Sequence, residues 1–516
     1  MSLVIVALDN TIVNIALPSI QRDLHASVSG LQWTVDAYTL VLASFLMLAG
    51  STGDRLGRRR IFQTGLATFT LGSLLCSLAP GLGWLVAFRM LQAIGGSMLN
   101  PVAMSIIVNT FTDRAERARA IGLWGGTFGV SLALGPVVGG ALIASVGWRG
   151  IFWVNIPVGV AAIALTALFV PESRAPHPRR LDPAGQFLVI VTLASLIYAI
   201  IEGPGSGWGS AKILGLFGLS AAALAALIVY EPRRREPLLD LRFFRSAPFS
   251  GATVIAISAL AGFGGFLFLN TLYLQDVRGF SALHAGLLTL PLAVPTALFA
   301  PISGRMVGRS GPRLPLLIAG VAMTAGGALL TGLTNGTSIG WLLLAYIVFG
   351  TGLGMVNAPI TNTAVSGMPR DQAGVAAAIA STSRQIGQTL GVAVVGSAVT
   401  SAMIGSFAIA FVHASHIGWW IVTGCGAAVL IVGLLTTGRW AQATAARTAA
   451  SLMSDEAKIP ASTPRSGSVI GAAGIPTTPV RNSCRPDDSG AESASLVAGV
   501  PRALAGRVSP HRRWGR

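Results

Sequence analysis

The chain has 516 residues, 52% of them apolar and 11% charged, which is too apolar for one soluble domain and too long for one core. A net charge of +17 would suit nucleic acid if the basic residues shared one patch. They are instead spread through short loops between apolar runs, which removes that partner and leaves the lipid bilayer.

Hydropathy predicts fourteen helices, near residues 2–20, 31–50, 61–80, 83–108, 120–144, 151–170, 185–203, 212–230, 249–274, 284–303, 314–333, 340–365, 375–401 and 417–438. Runs such as Ile61 to Pro80, Ile151 to Val170, Leu314 to Leu333 and Ile417 to Gly438 contain no charged residue. Each has the length, about 20 residues, that spans roughly 30 Å of hydrocarbon. The N-terminus lacks the basic flank and cleavage site of a signal peptide, so the first run is expected to be kept. Asp9 lies only eight residues from Met1 with no Lys or Arg before it, which is short for a cytoplasmic flank and suggests a start codon further upstream. From Arg439 the composition turns to Ala, Ser, Pro and Arg, and residues 439–516 are predicted to be a disordered cytoplasmic tail.

Alternate loops divide the basic residues nineteen to four. One side holds the clusters at Arg55 to Arg60, Arg114 to Arg119, Arg174 to Arg180, Arg233 to Arg245 and Arg305 to Arg313, with Arg370; the other holds Arg22, Arg149, Lys212 and Arg278. This bias puts the N-terminus, the even-numbered loops and the C-terminus in the cytoplasm of an inner-membrane protein.

An internal repeat is legible. Gly50-Ser-Thr-Gly-Asp-Arg-Leu-Gly-Arg-Arg59 matches Gly304-Arg-Met-Val-Gly-Arg-Ser-Gly-Pro-Arg313 at an offset of 254, and Gly95, Met98 and Asn100 recur as Gly352, Met355 and Asn357 at an offset of 257. The simplest account is two six-helix halves, 1–170 and 249–438, with two helices inserted over 171–248. In the first loop, Gly50 and Gly57 permit a tight turn, Asp54 can accept hydrogen bonds at a helix start, and Arg55 and Arg58 can bridge carboxylates or helix C-termini. A plain basic inside loop is the simpler reading of the same residues.

That loop resembles the signature loop of the major facilitator superfamily. Leu8-Asp-Asn-Thr-Ile-Val-Asn-Ile-Ala-Leu-Pro18, Arg89-Met-Leu-Gln-Ala-Ile-Gly95, Gly135-Pro-Val-Val-Gly-Gly140, Trp148-Arg-Gly-Ile-Phe-Trp-Val-Asn-Ile-Pro157, Glu202-Gly203 with Gly207-Trp208, and Arg384-Gln385-Ile-Gly387 resemble the fourteen-helix drug:proton antiporter branch (EmrB/QacA-like). The resemblance covers residues 1 to about 440. It implies an all-α integral membrane fold, alternating access around a cavity between the halves, and a fifth-helix motif at Gly135, Pro136, Gly139 and Gly140 that governs leak. Close helix packing alone would also explain those glycines. The second loop departs from the family pattern at Gly308, where many relatives carry Asp, so the two loops are not expected to act alike.

The intramembrane polar residues give the candidate site. Asp9 should lie near the middle of the first helix beside Asn10 and Asn14; a carboxylate there costs roughly 2.5 to 3.5 kcal/mol and should face a cavity or a partner, exchanging protons or simply bonding to neighbouring helices. Asp36 and Arg89 sit at similar depth, roughly 8 Å inside one membrane face, and could form a pair. Asp9 is expected to carry the coupled proton, because no cation lies on its own helix, while Arg89 would hold Asp36 charged. Gln92, Arg384, Gln385 and Gln388 are candidates to line the substrate cavity with Asn10 and Asn14; Arg384 could equally snorkel to the interface.

Cys76, Cys425 and Cys484 make neither a CxxC pair nor a Cys/His cluster, so no disulfide framework, metal site or cofactor is expected. With Lys212 and Lys458 the only lysines there is no GxxxxGK[ST] phosphate loop, which excludes ATP hydrolysis by this polypeptide. Gly336-Thr-Ser-Ile-Gly340 matches a nucleophile elbow by spacing but lacks the strand and helix that would make it one. The expected function is therefore export of small lipophilic or cationic compounds in exchange for protons. A dedicated exporter of one endogenous antibiotic or siderophore is the alternative, a nutrient symporter is disfavoured by the fifth helix, and a sensor would need a folded appended domain. A periplasmic adaptor protein is compatible with this reading.

Overall fold

The computed structural model describes residues 2–457 apart from 112, 176–180, 235, 367, 369–371 and 404–406. Arg179, Arg180, Arg235, Arg370, Cys484 and the tail from 458 onward lie outside the described residues.

Helices account for nearly all of the described chain. They are α1 (Ser2–Leu24), α2 (Val28–Leu56), α3 (Arg58–Ser77), α4 (Leu82–Thr110), α5 (Arg114–Val146), α6 (Gly150–Trp153), α7 (Asn155–Phe169), α8 (Pro183–Ser206), α9 (Ala211–Tyr230), α10 (Ala247–Leu272), α11 (Ala282–Leu288), α12 (Leu290–Ser310), α13 (Arg313–Ala328), α14 (Ile339–Val365), α15 (Ala373–Ala402), α16 (Phe407–Thr436) and α17 (Arg439–Ala457). The tenth predicted run is divided at Thr289 into α11 and α12, and α10 continues through a π-helical turn, Tyr273–Val277. Eleven of the described helical segments are long and apolar enough to cross a membrane.

Starts and stops follow local chemistry. Ser27 caps α2 through Gly30 N, Asp182 caps α8 through Gly185 N just ahead of Pro183, and Ser210 caps α9 through Ile213 N. Ser338, the serine of the supposed nucleophile elbow, accepts from Trp341 N as the cap of α14. Between α2 and α3 the chain turns at Gly57 with φ +116°, a conformation that excludes other residues.

Two groups of helices result, α1–α7 and α10–α16, each packed mainly within itself. They meet where α2 lies on α15, α5 on α11 and α12, and α1 on α10. The hairpin α8–α9 rests on this seam, with α8 against both α2 and α15. One end of the bundle, carrying Gly57 and Gly311, is called the turn end below; the opposite end carries Gln32, Gly140 and Ala282.

Residues 439–457 correct the sequence reading. They form α17, not the start of a disordered tail, because Ala441, Thr444, Ala445, Thr448 and Leu452 recur at helical spacing and are buried. The Thr444 hydroxyl accepts a 2.9 Å hydrogen bond from Ala247 N, one of the free donors at the start of α10.

Candidate functional site

Five helical elements converge on Asp9. The Arg89 guanidinium of α4 donates to its Oδ2 at 2.5 Å, and both side chains are buried, at 1% and 0% exposure. Gln92, one turn along α4, donates to Asp9 Oδ1 at 2.8 Å and accepts from Arg89 at 2.7 Å. Asn155 of α7 donates to the same Oδ1 at 3.0 Å. Ser73 of α3 accepts from Gln92 and Asn155 and donates to the Phe152 carbonyl. Arg89 Nε donates to the Thr34 carbonyl at 3.3 Å, and its guanidinium lies 4.2 Å from the Tyr38 ring centroid. Charge and hydrogen-bonding capacity are thus balanced within the first helix group, the condition under which a buried pair is tolerated.

This corrects two expectations. Arg89 pairs with Asp9 and not with Asp36. Thr34 and Tyr38 share the α2 face that meets Arg89, and Asp36, two residues from each, is turned about 200° away. Arg89 therefore meets α2 at the level of Asp36 but on another face. Asp9 has a cation after all, supplied by another helix. Gln92, a candidate for the cavity, has both its amide atoms engaged by the ion pair and Ser73.

Asp36 lies on the face of α2 that carries Gln32 and Leu40 toward α15. It is fully buried, Thr39 is a distant 3.5 Å donor to Oδ1, and Oδ2 has no partner among the described residues. No described ion pair includes it.

The remaining candidates divide. Asn10 donates to Gln388 Oε1 at 3.1 Å across the seam, and Asn14 donates to the Asn10 carbonyl at 2.8 Å. The amide oxygens of Asn10, Asn14 and Gln385 are buried without partners among the described residues, so α1 and α15 present polar atoms where the groups meet. Arg384 is half-buried and donates to Thr361 Oγ1 at 2.6 Å and to the Asn357 carbonyl, both on α14. It does not join the Asp9 cluster.

In the first signature loop, Arg58 holds Asp54 Oδ1 through two bonds at 2.9 and 2.7 Å. Glu172, which the sequence reading missed, accepts from Arg59 N and Arg60 N at the start of α3. A Cβ on Gly57 would lie 2.6 Å from that carboxylate, so the glycine is needed for space as well as for φ. Arg55 and Gly50 lie on the last turns of α2, where Gly50 faces Pro101 of α4. In the second loop Arg305, Arg309 and Arg313 make no ion pair among the described residues, as Gly308 in place of Asp implies.

The fifth-helix motif is a packing surface on two partners. Gly135 and Gly139 receive Thr11 and Ile12 of α1, while Gly140 faces the Ala282 carbonyl and Leu283 of α11, where a Cβ would come within 2.6 Å. Gly286 of α11 sits against the Pro136 carbonyl. Helix α5 runs unbroken through Pro136. Ser73 and Asn155 were the other missed members of the site; their signal was polar side chains inside apolar runs.

A many-helix bundle with a charge-paired core in one group and a polar seam between two groups defines a membrane transporter. The family model described as Major Facilitator Superfamily matches residues 1–392, and the chain belongs to that superfamily of transporters. It is 37% identical over 401 residues to the multidrug resistance protein Stp of Mycobacterium tuberculosis, covering 78% of this chain and 74% of that one. It is 38% identical over 400 residues to the tetracenomycin C resistance and export protein of Streptomyces glaucescens (77% and 74% covered), and 34% identical over 401 residues to the multidrug efflux pump LfrA of Mycolicibacterium smegmatis (77% and 79% covered). In fold it is similar to a bacterial homologue of the human lysosomal transporter Spinster in an inward-facing, unoccupied conformation, with TM-score 0.58, 18% identity and 88% and 96% of the two chains covered. The family and these relatives are transporters and not enzymes.

Proposed function

We propose that the protein exports small lipophilic cations and drugs in exchange for protons, by alternating access, with Asp36 as the site where proton and cation compete. The observation that carries this is the contrast between two buried carboxyl groups. Asp9 is compensated by Arg89 inside one helix group, whereas Asp36 lies at the seam with no cation paired to it among the described residues. A bare carboxylate buried there costs several kcal/mol, which a proton or a bound cation would offset. A cationic substrate supplies the missing charge and displaces the proton. The Asp9–Arg89 pair fixes how α1, α4 and α7 meet and takes part as the group's internal switch. The names of the relatives support drugs and antibiotics as substrates.

The same reading takes the chain as fourteen spans: the eleven apolar ones with α3, α13 and α15, which pack among them. Two six-helix halves, 1–170 and 249–438, flank the inserted pair, and the basic turn end is cytoplasmic, with both chain termini there and the protein in the inner membrane. Each proton entering at about 100 mV releases roughly 2.3 kcal/mol, enough for roughly a fiftyfold substrate gradient.

Energised inverted vesicles containing Asp36→Asn should bind a fluorescent lipophilic cation yet neither concentrate it nor release protons on its addition. Proton release at the wild-type level from this variant would remove Asp36 from the exchange.

A further inference from the structure

The inserted hairpin has no counterpart in the internal repeat, yet α8 is bonded to both helix groups beside the closed end of the seam. Gln32 of α2 donates to the Val392 and Ala393 carbonyls and to Ser397 Oγ, at 3.2, 2.9 and 3.3 Å, joining α2 to α15 directly. Its neighbour Trp33 donates through Nε1 to Glu202 of α8 at 2.8 Å. Ser397, which accepts from Gln32, in turn donates to the Ile200 carbonyl of α8 at 2.7 Å. Trp208, lying over Gly203, donates to Ser401 of α15 at 3.4 Å. Beneath these bonds Leu40 and Ala43 of α2, Leu193, Ile197 and Ile201 of α8, and Ala393 of α15 form one buried apolar cluster.

A helix attached to two bodies that part can stay with only one of them. The attachments of α8 to α2 are at Trp33 and, near the turn end, at Ser44, whose carbonyl accepts from Gln186 at 2.5 Å. These anchors are eleven residues apart, about 16 Å of helix, and fix direction as well as position. Among the described residues, the hydrogen bonds of α8 and the Trp208 that follows it to α15 involve only Ser397 and Ser401, one turn apart at one end. A bond to a carboxylate is also the stronger kind.

We infer that the inserted hairpin is a working part of the gate opposite the turn end: α8 travels with the first helix group through the Trp33–Glu202 bond and latches onto α15 when that end closes. Glu202 is a positioning residue for transport. Opening breaks the Ser397–Ile200, Trp208–Ser401 and Gln32 bonds together and keeps Trp33–Glu202. The inference goes beyond the exchange reading and requires only that α2 and α15 separate at that end during transport.

The test uses the full-length protein with its native cysteines replaced, carrying one of two cysteine pairs closed by a short bifunctional thiosulfonate, with linkage verified by mass spectrometry. Closing Ser44→Cys to Gln186→Cys should leave transport of a fluorescent lipophilic cation intact. Closing Trp208→Cys to Ser401→Cys should arrest it until the link is reduced. The reverse pattern would assign the hairpin to the other group, and arrest or free transport in both would deny it a latch; each overturns the inference. Independently, Glu202→Ala should raise labelling of Ala393→Cys by an impermeant thiol reagent roughly tenfold, with Glu202→Gln restoring protection because an amide oxygen still accepts from Trp33. Unchanged labelling in Glu202→Ala would remove Glu202 from the gate.

Discussion

Arg89 and Tyr346 occupy the same place in the two helix groups. The offset of 257 that relates Gly95 to Gly352 and Asn100 to Asn357 also carries Arg89 onto Tyr346. Arg89 of α4 reaches the carboxylate of Asp9 on α1; Tyr346 of α14 reaches the amide of Asn270 on α10. The first group surrounds its pair with Gln92, Asn155 and Ser73. The second surrounds its own with rings: Phe266 stacks on Phe349 at 4.8 Å and meets Tyr346 and Trp419 edge-on. One scaffold thus holds a charged core in one copy and a neutral aromatic core in the other. On the proposed exchange reading, the proton-linked change belongs to the first group, which carries both Asp9 and Asp36.

The comparison predicts its own largest asymmetry. Arg89→Ala leaves Asp9 buried and uncompensated, a loss of about 3–5 kcal/mol in stability, and transport should vanish even where the protein inserts. Tyr346→Phe removes one neutral hydrogen bond, costing about 1 kcal/mol, and should transport at near wild-type rate. Efflux in energised vesicles, paired with thermal unfolding in detergent, reads both. A Tyr346→Phe variant as inactive as Arg89→Ala would end the distinction between the groups.

A middle-sized effect is expected where the groups touch. Gly140→Leu drives a side chain into Ala282 and Leu283 of α11, and overpacking of about 1–3 kcal/mol corresponds to roughly a 5- to 150-fold bias against the closed end. Labelling of Ala282→Cys by an impermeant reagent should rise accordingly, with efflux falling. Unchanged labelling would show that α5 and α11 part without consequence.

Much of this was legible beforehand because a span announces itself by length and absence of charge, so every predicted apolar run has a helix in the structure. Contacts around a helix axis were harder. Hydropathy places Asp36 and Arg89 at one depth, but only the rotation of about 200° that separates Asp36 from Thr34 and from Tyr38 shows that Arg89 meets the other face of α2. Partners far along the chain left no local trace. Glu172 caps α3 from more than 100 residues away, and Asn155 reaches Asp9 across 146. Helix α17 escaped notice because the residues it buries are mainly Ala and Thr, too small to mark an amphipathic stripe.

That helix supplies the smallest effect and a last contrast between the groups. Each group is followed by a segment that returns to brace its turn end. After α7, Glu172 to Ala175 bind the α2–α3 turn, with Arg58 N donating to the Ser173 carbonyl and Ala175 N to that of Asp54. After α16, α17 lies on α10 and gives Thr444 to Ala247 N. The first brace holds a signature loop by charge, the second only a helix start by one neutral bond and a row of small side chains. Truncation after Ala457 should therefore change nothing in efflux or unfolding temperature. Truncation after Gly438 should lower stability by about 1–2 kcal/mol, a lost cap with modest apolar burial, while efflux at low temperature persists. Cutting after Arg447, inside α17, removes the buried Thr448 and Leu452 and should resemble the longer deletion. Loss of efflux at unchanged membrane abundance after the Ala457 cut would give residues 458–516 a role in transport that neither brace explains.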